Sequence, residues 1–249
     1  MKSTMNINDH YKKQRQYFDS EFLHKQEYSL AAWQKSYVAK IKQYMLDKDY
    51  EKKTFLDIAT GSGYVAIEMA KLGCKKVIAI DLSPEAIKNL ETYKKQFKLT
   101  NLELIESKAE TIPLATESVD YIVANAILEH IPNEQKAITE WKRVLKKKGK
   151  MLITVPLHFR YIWPFLIPVN IWHDKRIGHL RRYDVIDLQH KFYLPLRHYF
   201  YTGHLIKVIG ILFSLIMKDT HYDAVFEKLD EEKQYIRYGA NNVSVIFQK

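Results

Sequence analysis

Phe55-Leu-Asp-Ile-Ala-Thr-Gly-Ser-Gly-Tyr-Val-Ala66 constrains this chain more than any other stretch. Thr54 to Ile58 is short, apolar and β-branched at its ends, as expected of a strand buried on both faces of a parallel sheet. Gly61 and Gly63 then allow a tight turn and a close backbone approach that a Cβ would block. Val65, Ile67, Met69 and Leu72 continue in a segment rich in helix formers. A second apolar strand, Val77-Ile-Ala-Ile80, ends in Asp81, an acid placed to accept hydrogen bonds from two ribose hydroxyls.

Two cofactor classes fit that unit. Gly61-x-Gly63-x-x-Ala66, with Asp81 about twenty positions on, satisfies the dinucleotide fingerprint, so an NAD-dependent oxidoreductase is an open alternative. Three features point the other way. Asp57 is an acid at the end of the first strand, where a carboxylate repels a pyrophosphate and attracts an ammonium group. Ala109-Glu110 follows a third strand and offers polar contacts to an adenine. Ser118-Val-Asp-Tyr-Ile-Val-Ala-Asn125 runs into Ile127-Leu-Glu-His-Ile-Pro132.

Together these blocks resemble the class I S-adenosylmethionine-dependent methyltransferases, in the broad small-molecule subfamily that includes quinone C-methyltransferases. The resemblance runs from about Tyr11 to the C-terminus and is firmest over residues 54–155. It implies a doubly wound, Rossmann-like α/β fold: a seven-stranded, mostly parallel sheet whose last strand inserts antiparallel. It also implies S-adenosylmethionine as cofactor and S-adenosylhomocysteine as product. By the resemblance, Gly61 and Gly63 pack against the methionine part, and Asp57 lies near its ammonium or orders the loop. Asp81 holds the ribose, Leu82 lies against adenine, and Asn125 sits beside the sulfonium end. The chain departs from the family pattern twice. Ala59 replaces the first glycine of acid-x-Gly-x-Gly-x-Gly, and Lys108 replaces the Asp of a frequent Asp-Ala pair. The adenine contact therefore falls to the backbone of Ala109 or to Glu110.

The chain has 249 residues, 47% of them hydrophobic, enough for one large α/β domain. No repeat or low-complexity linker divides it, and one domain is expected over residues 1–249. A helical lid occupies 1–50, the cofactor core 54–155, an acceptor-side cap 156–218, and a closing helix and strand 219–249. A single cysteine, Cys74, excludes an internal disulfide and a cysteine-based zinc site. The histidines are scattered without ligand spacing, so no metal is expected. Met1 to Arg15 is polar and lacks the apolar core of a signal peptide, and no stretch is long enough to span a bilayer. The expectation is a cytoplasmic protein, peripheral at most to the inner face of the membrane.

Strands are expected near 54–59, 76–81, 102–107, 119–125, 149–155, 197–202 and 243–247. Helices are expected near 63–72, 83–98, 133–147, from Asp184 to about Lys191, over 203–218, and over 223–234. Ser83 before Pro84-Glu85 reads as a cap and first turn, and Asp184 as another cap. Lys146-Lys-Lys148-Gly149 reads as a charged helix end with a glycine stop. Between Tyr11 and Tyr50, Tyr17, Tyr28 and Trp33 are candidate lid aromatics, with Tyr17 the one expected to touch substrate.

The acceptor is sought after the fifth strand. His179 and Tyr183 are the candidates for acceptor chemistry, and Arg181 and Arg182 for an anionic part of the acceptor. The apolar stretches 161–172 and 203–217 favour a hydrophobic or lipid-like acceptor. They also suit an anionic membrane surface or, as the competing reading, a homodimer interface. The aromatic tetrapeptide of DNA amino-methylating relatives is absent, with Asn125-Ala-Ile-Leu128 in its place, which argues against base-amine methylation, and a nucleic-acid partner is not expected. A net charge of +10 keeps one non-catalytic alternative open, a Rossmann-like scaffold that binds RNA.

Overall fold

A computed structural model describes residues 6–22, 27–217 and 221–249. Helices α1 (Ile7–Phe22) and α2 (Ala32–Tyr44) lead into strand β1 (Thr54–Ile58). Next come α3 (Tyr64–Leu72), β2 (Lys76–Asp81), α4 (Pro84–Gln96), β3 (Leu102–Glu106) and β4 (Val119–Asn125). Then follow α5 (Glu134–Val144), β5 (Leu145–Pro156), α6 (Ile167–Ile177), α7 (Val185–Phe192) and β6 (Leu196–Thr202). The chain closes with α8 (Leu205–Met217), α9 (His221–Glu231) and β7 (Asn242–Gln248).

The described strands form one sheet in the order β3-β2-β1-β4-β5-β7-β6. The first five run parallel, and β7 pairs antiparallel with both β5 and β6. Strand direction therefore matches the expectation, and the order reverses between β1 and β4. Alternation along each strand divides the core in two. Leu56, Ile78, Ile122 and Ile153 face α5 and α7, packing with Ile138, Trp141 and Phe192. Phe55, Val77, Val123 and Leu152 face the other way, onto Ile41, Ile67 and Leu90 of α2, α3 and α4. Trp141 is fully buried and donates its indole N–H to the Ala109 carbonyl (2.9 Å), which pins the turn beyond β3.

The caps form as read. Ser83 Oγ accepts the Ala86 N–H (3.1 Å) with Pro84 in the first turn, and Asp184 Oδ1 accepts the Asp187 N–H (3.0 Å). The lysine run behaves differently. Helix α5 stops at Val144, and Leu145–Pro156 is already strand. Val144 and Leu145 are both fully buried, so the chain turns into the sheet before the lysines are reached. Lys146 then pairs with Asp120 at 2.8 Å, and Gly149 fits where a Cβ would crowd Leu145. The cations of the last helical turn are Lys142 and Arg143.

Stretch 161–172 does not become one helix. Two 3-10 turns, Phe159–Tyr161 and Pro164–Leu166, precede α6, whose first turn accommodates Pro168. Gly178, at φ +79, ends α6. The expected helix over 203–218 is α8, although Lys218 lies outside the described residues, as do Met1–Met5 of the expected lid segment.

The turn after β1 carries three left-handed residues, Ala59 (φ 54), Gly61 (φ 53) and Gly63 (φ 77). A Cβ on Gly63 would lie 2.5 Å from the Leu90 side chain of α4. Strain and overpacking together make Gly63→Ala cost about 2–4 kcal/mol, lowering the melting temperature by roughly 5–12 °C in a thermal scan. Ala59→Gly, which relieves a left-handed alanine, raises it by about 1–3 °C.

Candidate active site

Ligands of open α/β sheets bind beyond the carboxyl ends of the strands where strand order reverses. Here that place is the edge of β1 and β4, and the sequence-selected residues converge on it. The Asp57 carboxylate is 2% exposed and accepts the Thr60 hydroxyl at 2.6 Å. Burial pushes its pKa up to about 7, against the pull of the Thr60 hydroxyl and the Ala66 amide. Asp81 accepts the Gly61 N–H (2.9 Å) on one oxygen and the Ser83 N–H (2.8 Å) on the other. Burial raises its pKa, opposed by the backbone N–H groups of Ser83, Gly61 and Leu82. Leu82 beside it is half-buried. Glu110 is buried and accepts the Tyr11 hydroxyl of α1, an oxygen that burial keeps protonated. Asn125 donates its amide to the Tyr64 hydroxyl at 3.0 Å.

Three buried carboxylates at one sheet edge set the chemistry of what can bind there. Each loses hydration, so each favours a donor or a cation over an anion. A vicinal diol, an exocyclic amine and an ammonium group satisfy them; a pyrophosphate does not. The donor set fits S-adenosylmethionine, with Asp57, Gly61, Gly63, Asp81, Leu82, Glu110 and Asn125 as the residues that would hold it. The same carboxylates disfavour the dinucleotide alternative.

Helix α1 roofs this edge. Its Arg15 reaches Glu106 at 3.3 Å, His10 Nε2 lies 2.8 Å from the His130 carbonyl, and Gln14 donates to the Ile177 carbonyl at 2.9 Å. The helix thus spans from the β3 side to α6. Tyr17, on the same helix, lines a cavity of about 350 Å3 shared with Phe18, Ala126, His173 and His179. A larger cavity, about 1190 Å3, is lined by Ser62 of the glycine turn, Trp33 and residues of α9. Glu21 borders both. The smaller one begins at Ala126, directly after β4 and Asn125. Trp33 packs edge-on against Tyr64 in the larger cavity, and Tyr28 packs on Tyr93 and Phe97 while donating to Glu68.

The acceptor candidates separate. His179 reaches the smaller cavity, with Nδ1 2.8 Å from Asp174 Oδ1. Burial lowers its pKa, countered by Asp174. The other three are held elsewhere. Tyr183 is 1% exposed and donates to Glu134 at 2.6 Å, inside the core. Arg181 donates to the carbonyls of Ile131 (2.9 Å) and Pro132 (3.2 Å). Arg182 is consumed by Asp174 (2.7 Å), Asn170 and the Leu157 carbonyl. Neither guanidinium lines the cavity. The side chains that the sequence reading passed over are Glu129 and Asp174. Glu129 is wholly buried beside His130, and burial pushes it up to about 8. An acid inside the apolar run Ile127-Leu-Glu-His-Ile-Pro132 was the available signal.

Residues 49–161 match a family model described as a methyltransferase domain. A demethylmenaquinone methyltransferase of Chlorobaculum parvum is 34% identical over 102 residues, 41% of this chain and 40% of that protein. A ubiquinone/menaquinone biosynthesis C-methyltransferase of Rickettsia typhi is 32% identical over 105 residues, 39% of this chain and 42% of that protein. The chain spans less than half the length of these curated relatives. Among solved structures, a geranyl diphosphate C-methyltransferase from Streptomyces coelicolor superposes with a TM-score of 0.69 at 11% identity, over 96% of this chain and 98% of that one. That structure holds Mg2+, geranyl diphosphate and S-adenosyl-L-homocysteine; at such identity the likeness carries the fold alone. Residues 49–161 form a methyltransferase domain, and the sheet order and the carboxylate-lined edge are of the Rossmann-like, S-adenosylmethionine-dependent kind.

Proposed function

We propose that this chain transfers the methyl group of S-adenosylmethionine to a small apolar acceptor seated in the cavity between α1, α6 and the end of β4. The observation that carries this reading is the adjacency of two unlike sites. Buried carboxylates suited to the cofactor stand at the ends of β1 and β2 and in the turn after β3, and a 350 Å3 cavity with aromatic walls begins at Ala126, the residue after Asn125.

Bound S-adenosylmethionine supplies a methyl on a good leaving group, so alignment of nucleophile, carbon and sulfur provides much of the acceleration. The chain supplies the alignment. Asp81 accepts the ribose hydroxyls, Asp57 balances positive charge, and α1 keeps water from the edge. On the acceptor side, His179 presents Nε2 to the cavity while Asp174 holds its other nitrogen.

Helix α6 supports an apolar acceptor delivered from a lipid surface. His173 and Ile177 wall the cavity, while Val169 and Trp172, with Phe165 (62% exposed) of the turn before the helix, face outward. Lys175 and Arg176 stand beside them. An apolar face flanked by cations is what an anionic membrane surface accepts. No helix among the described residues is long and apolar enough to cross a membrane. The quinone-type relatives point to the same acceptor class.

Calorimetric titration with S-adenosylhomocysteine is expected to show micromolar binding by the wild-type chain. Asp81→Ala is expected to weaken it at least about tenfold, through loss of charge-assisted hydrogen bonds. NAD is expected not to bind; tighter binding of NAD than of S-adenosylhomocysteine would sink the cofactor reading. In flotation with anionic phosphatidylglycerol vesicles, the protein is expected to co-float at low salt and detach as salt rises. Phe165→Ser with Trp172→Ser is expected to abolish co-flotation. No binding at low salt rejects the membrane surface, and a wild-type dimer lost in that variant assigns the face to a second copy of the chain.

A further inference from the structure

The wall of the smaller cavity contains a polar cluster that the cofactor edge does not use. Glu129 is 0% exposed, and neither of its carboxylate oxygens has a hydrogen-bond partner among the described residues. His130, 5% exposed, leaves Nδ1 without a partner in the same way. His179 brings Nε2 to 3.6 Å from Glu129 Oε1. One ligand atom from each of Glu129, His130 and His179 lies within 4.8 Å of the others.

Unsatisfied polar atoms at this depth are costly, and one partner that reaches all three would relieve them together. One proton shared between Glu129 and His179 would satisfy a single contact. It would leave the second Glu129 oxygen and His130 Nδ1 as they are. A divalent cation accepts electron pairs from all three side chains at once. We propose that Glu129, His130 and His179 form a binding site for a divalent transition cation of the Zn2+, Mn2+ or Co2+ kind.

The surroundings are those of a prepared ligand set. His179 holds Nδ1 on Asp174 at 2.8 Å, which leaves Nε2 free to donate its electron pair. Asp174 is itself fixed by Arg182, through Nε at 2.7 Å and a second guanidinium nitrogen at 2.8 Å. A carboxylate that orients a ligating imidazole through its other nitrogen is the recurring support of histidine metal sites. Two imidazoles and one carboxylate suit a borderline cation, and three protein ligands leave coordination positions open. Closing the set around such an ion brings the ligand atoms to about 3–3.5 Å from one another, which side-chain rotation supplies. The cluster faces the cavity lined by Tyr17, Phe18 and Ala126. If that cavity takes the methyl acceptor, as proposed above, an open position would hold an acceptor oxygen. The cation site itself does not depend on that reading.

The test uses the full-length chain stripped with EDTA, with no turnover measured. Titration with Co2+ followed by visible absorption, and with Zn2+ by calorimetry, is expected to show one equivalent bound. Zn2+ is also expected to raise the melting temperature. Glu129→Gln and His179→Gln are each expected to lower affinity at least about tenfold, and Asp174→Asn by a similar factor through His179. His204→Gln, whose imidazole is held by Asp230 away from the cavity, is expected to leave binding unchanged. Circular dichroism of each variant separates loss of the site from loss of the fold, and either ligand variant that folds is sufficient. No one-to-one binding by the wild-type chain overturns the proposal, as does binding that a folded Glu129→Gln or His179→Gln leaves intact. Loss of S-adenosylhomocysteine binding with cation binding retained would overturn only the functional reading.

Discussion

The Asp81 carboxylate ties the glycine turn to the end of the second strand, and the geometry of the sheet edge depends on that tie. One oxygen takes the Gly61 N–H and the other the Ser83 N–H. The first contact fixes the turn that leaves β1; the second fixes the entry of α4, whose cap is Ser83. Because β1 lies between β2 and β4, positioning its turn also sets the end of β1, where Ile58 pairs with Ala124, beside Asn125 across the switch in strand order. A buried carboxylate with both oxygens on backbone amides keeps capacity for further donors, since each oxygen has two lone pairs. The same residue therefore holds the turn and remains open to a diol.

Over this edge the protein builds a roof from elements distant in sequence. Helix α1 comes from the N-terminus and α6 from the segment after β5, and they meet through Gln14 and the Ile177 carbonyl. A Cβ on Gly178 would lie 2.1 Å from Gln14 Nε2, so the left-handed glycine that ends α6 also leaves room for the Gln14 amide. The roof excludes water from carboxylates whose interactions strengthen as the local dielectric falls. It also carries the aromatic side chains that line the cavity.

Opposite the carboxylate edge lies the more unusual chemistry. Glu129, His130 and His179 bring three polar side chains into a region that α1 and α6 close off, and Asp174 with Arg182 organises one of them from behind. Arg182 and Tyr183 contribute by bracing, one on Asp174 and the other on Glu134, both away from the cavity. A short polar run such as Gly178-His-Leu-Arg-Arg-Tyr-Asp184 divides its roles by the direction each side chain takes, which depends on where the backbone bends.

The sequence by itself determined the strand–turn–helix unit, the caps at Ser83 and Asp184, and the placing of Asp57, Gly61, Gly63, Asp81 and Asn125 at one sheet edge. These were legible because each rests on local physics: a φ only glycine takes easily, a proline in a first helical turn, an acid at the end of a buried strand. The lysine run at 146–148 misled, because burial of Val144 and Leu145 outweighed the attraction of cations for a helix end. Only the tertiary structure decided which residues after β5 reach the cavity, since His179 and Glu129 are neighbours solely because the segment after α6 runs along the turn beyond β4, with the Leu180 N–H on the Glu129 carbonyl. No periodicity or spacing encodes a contact across fifty positions. The physical reason is that burial and partner choice for a polar side chain are properties of the whole packed molecule, whereas turns and caps are settled within a few residues of chain.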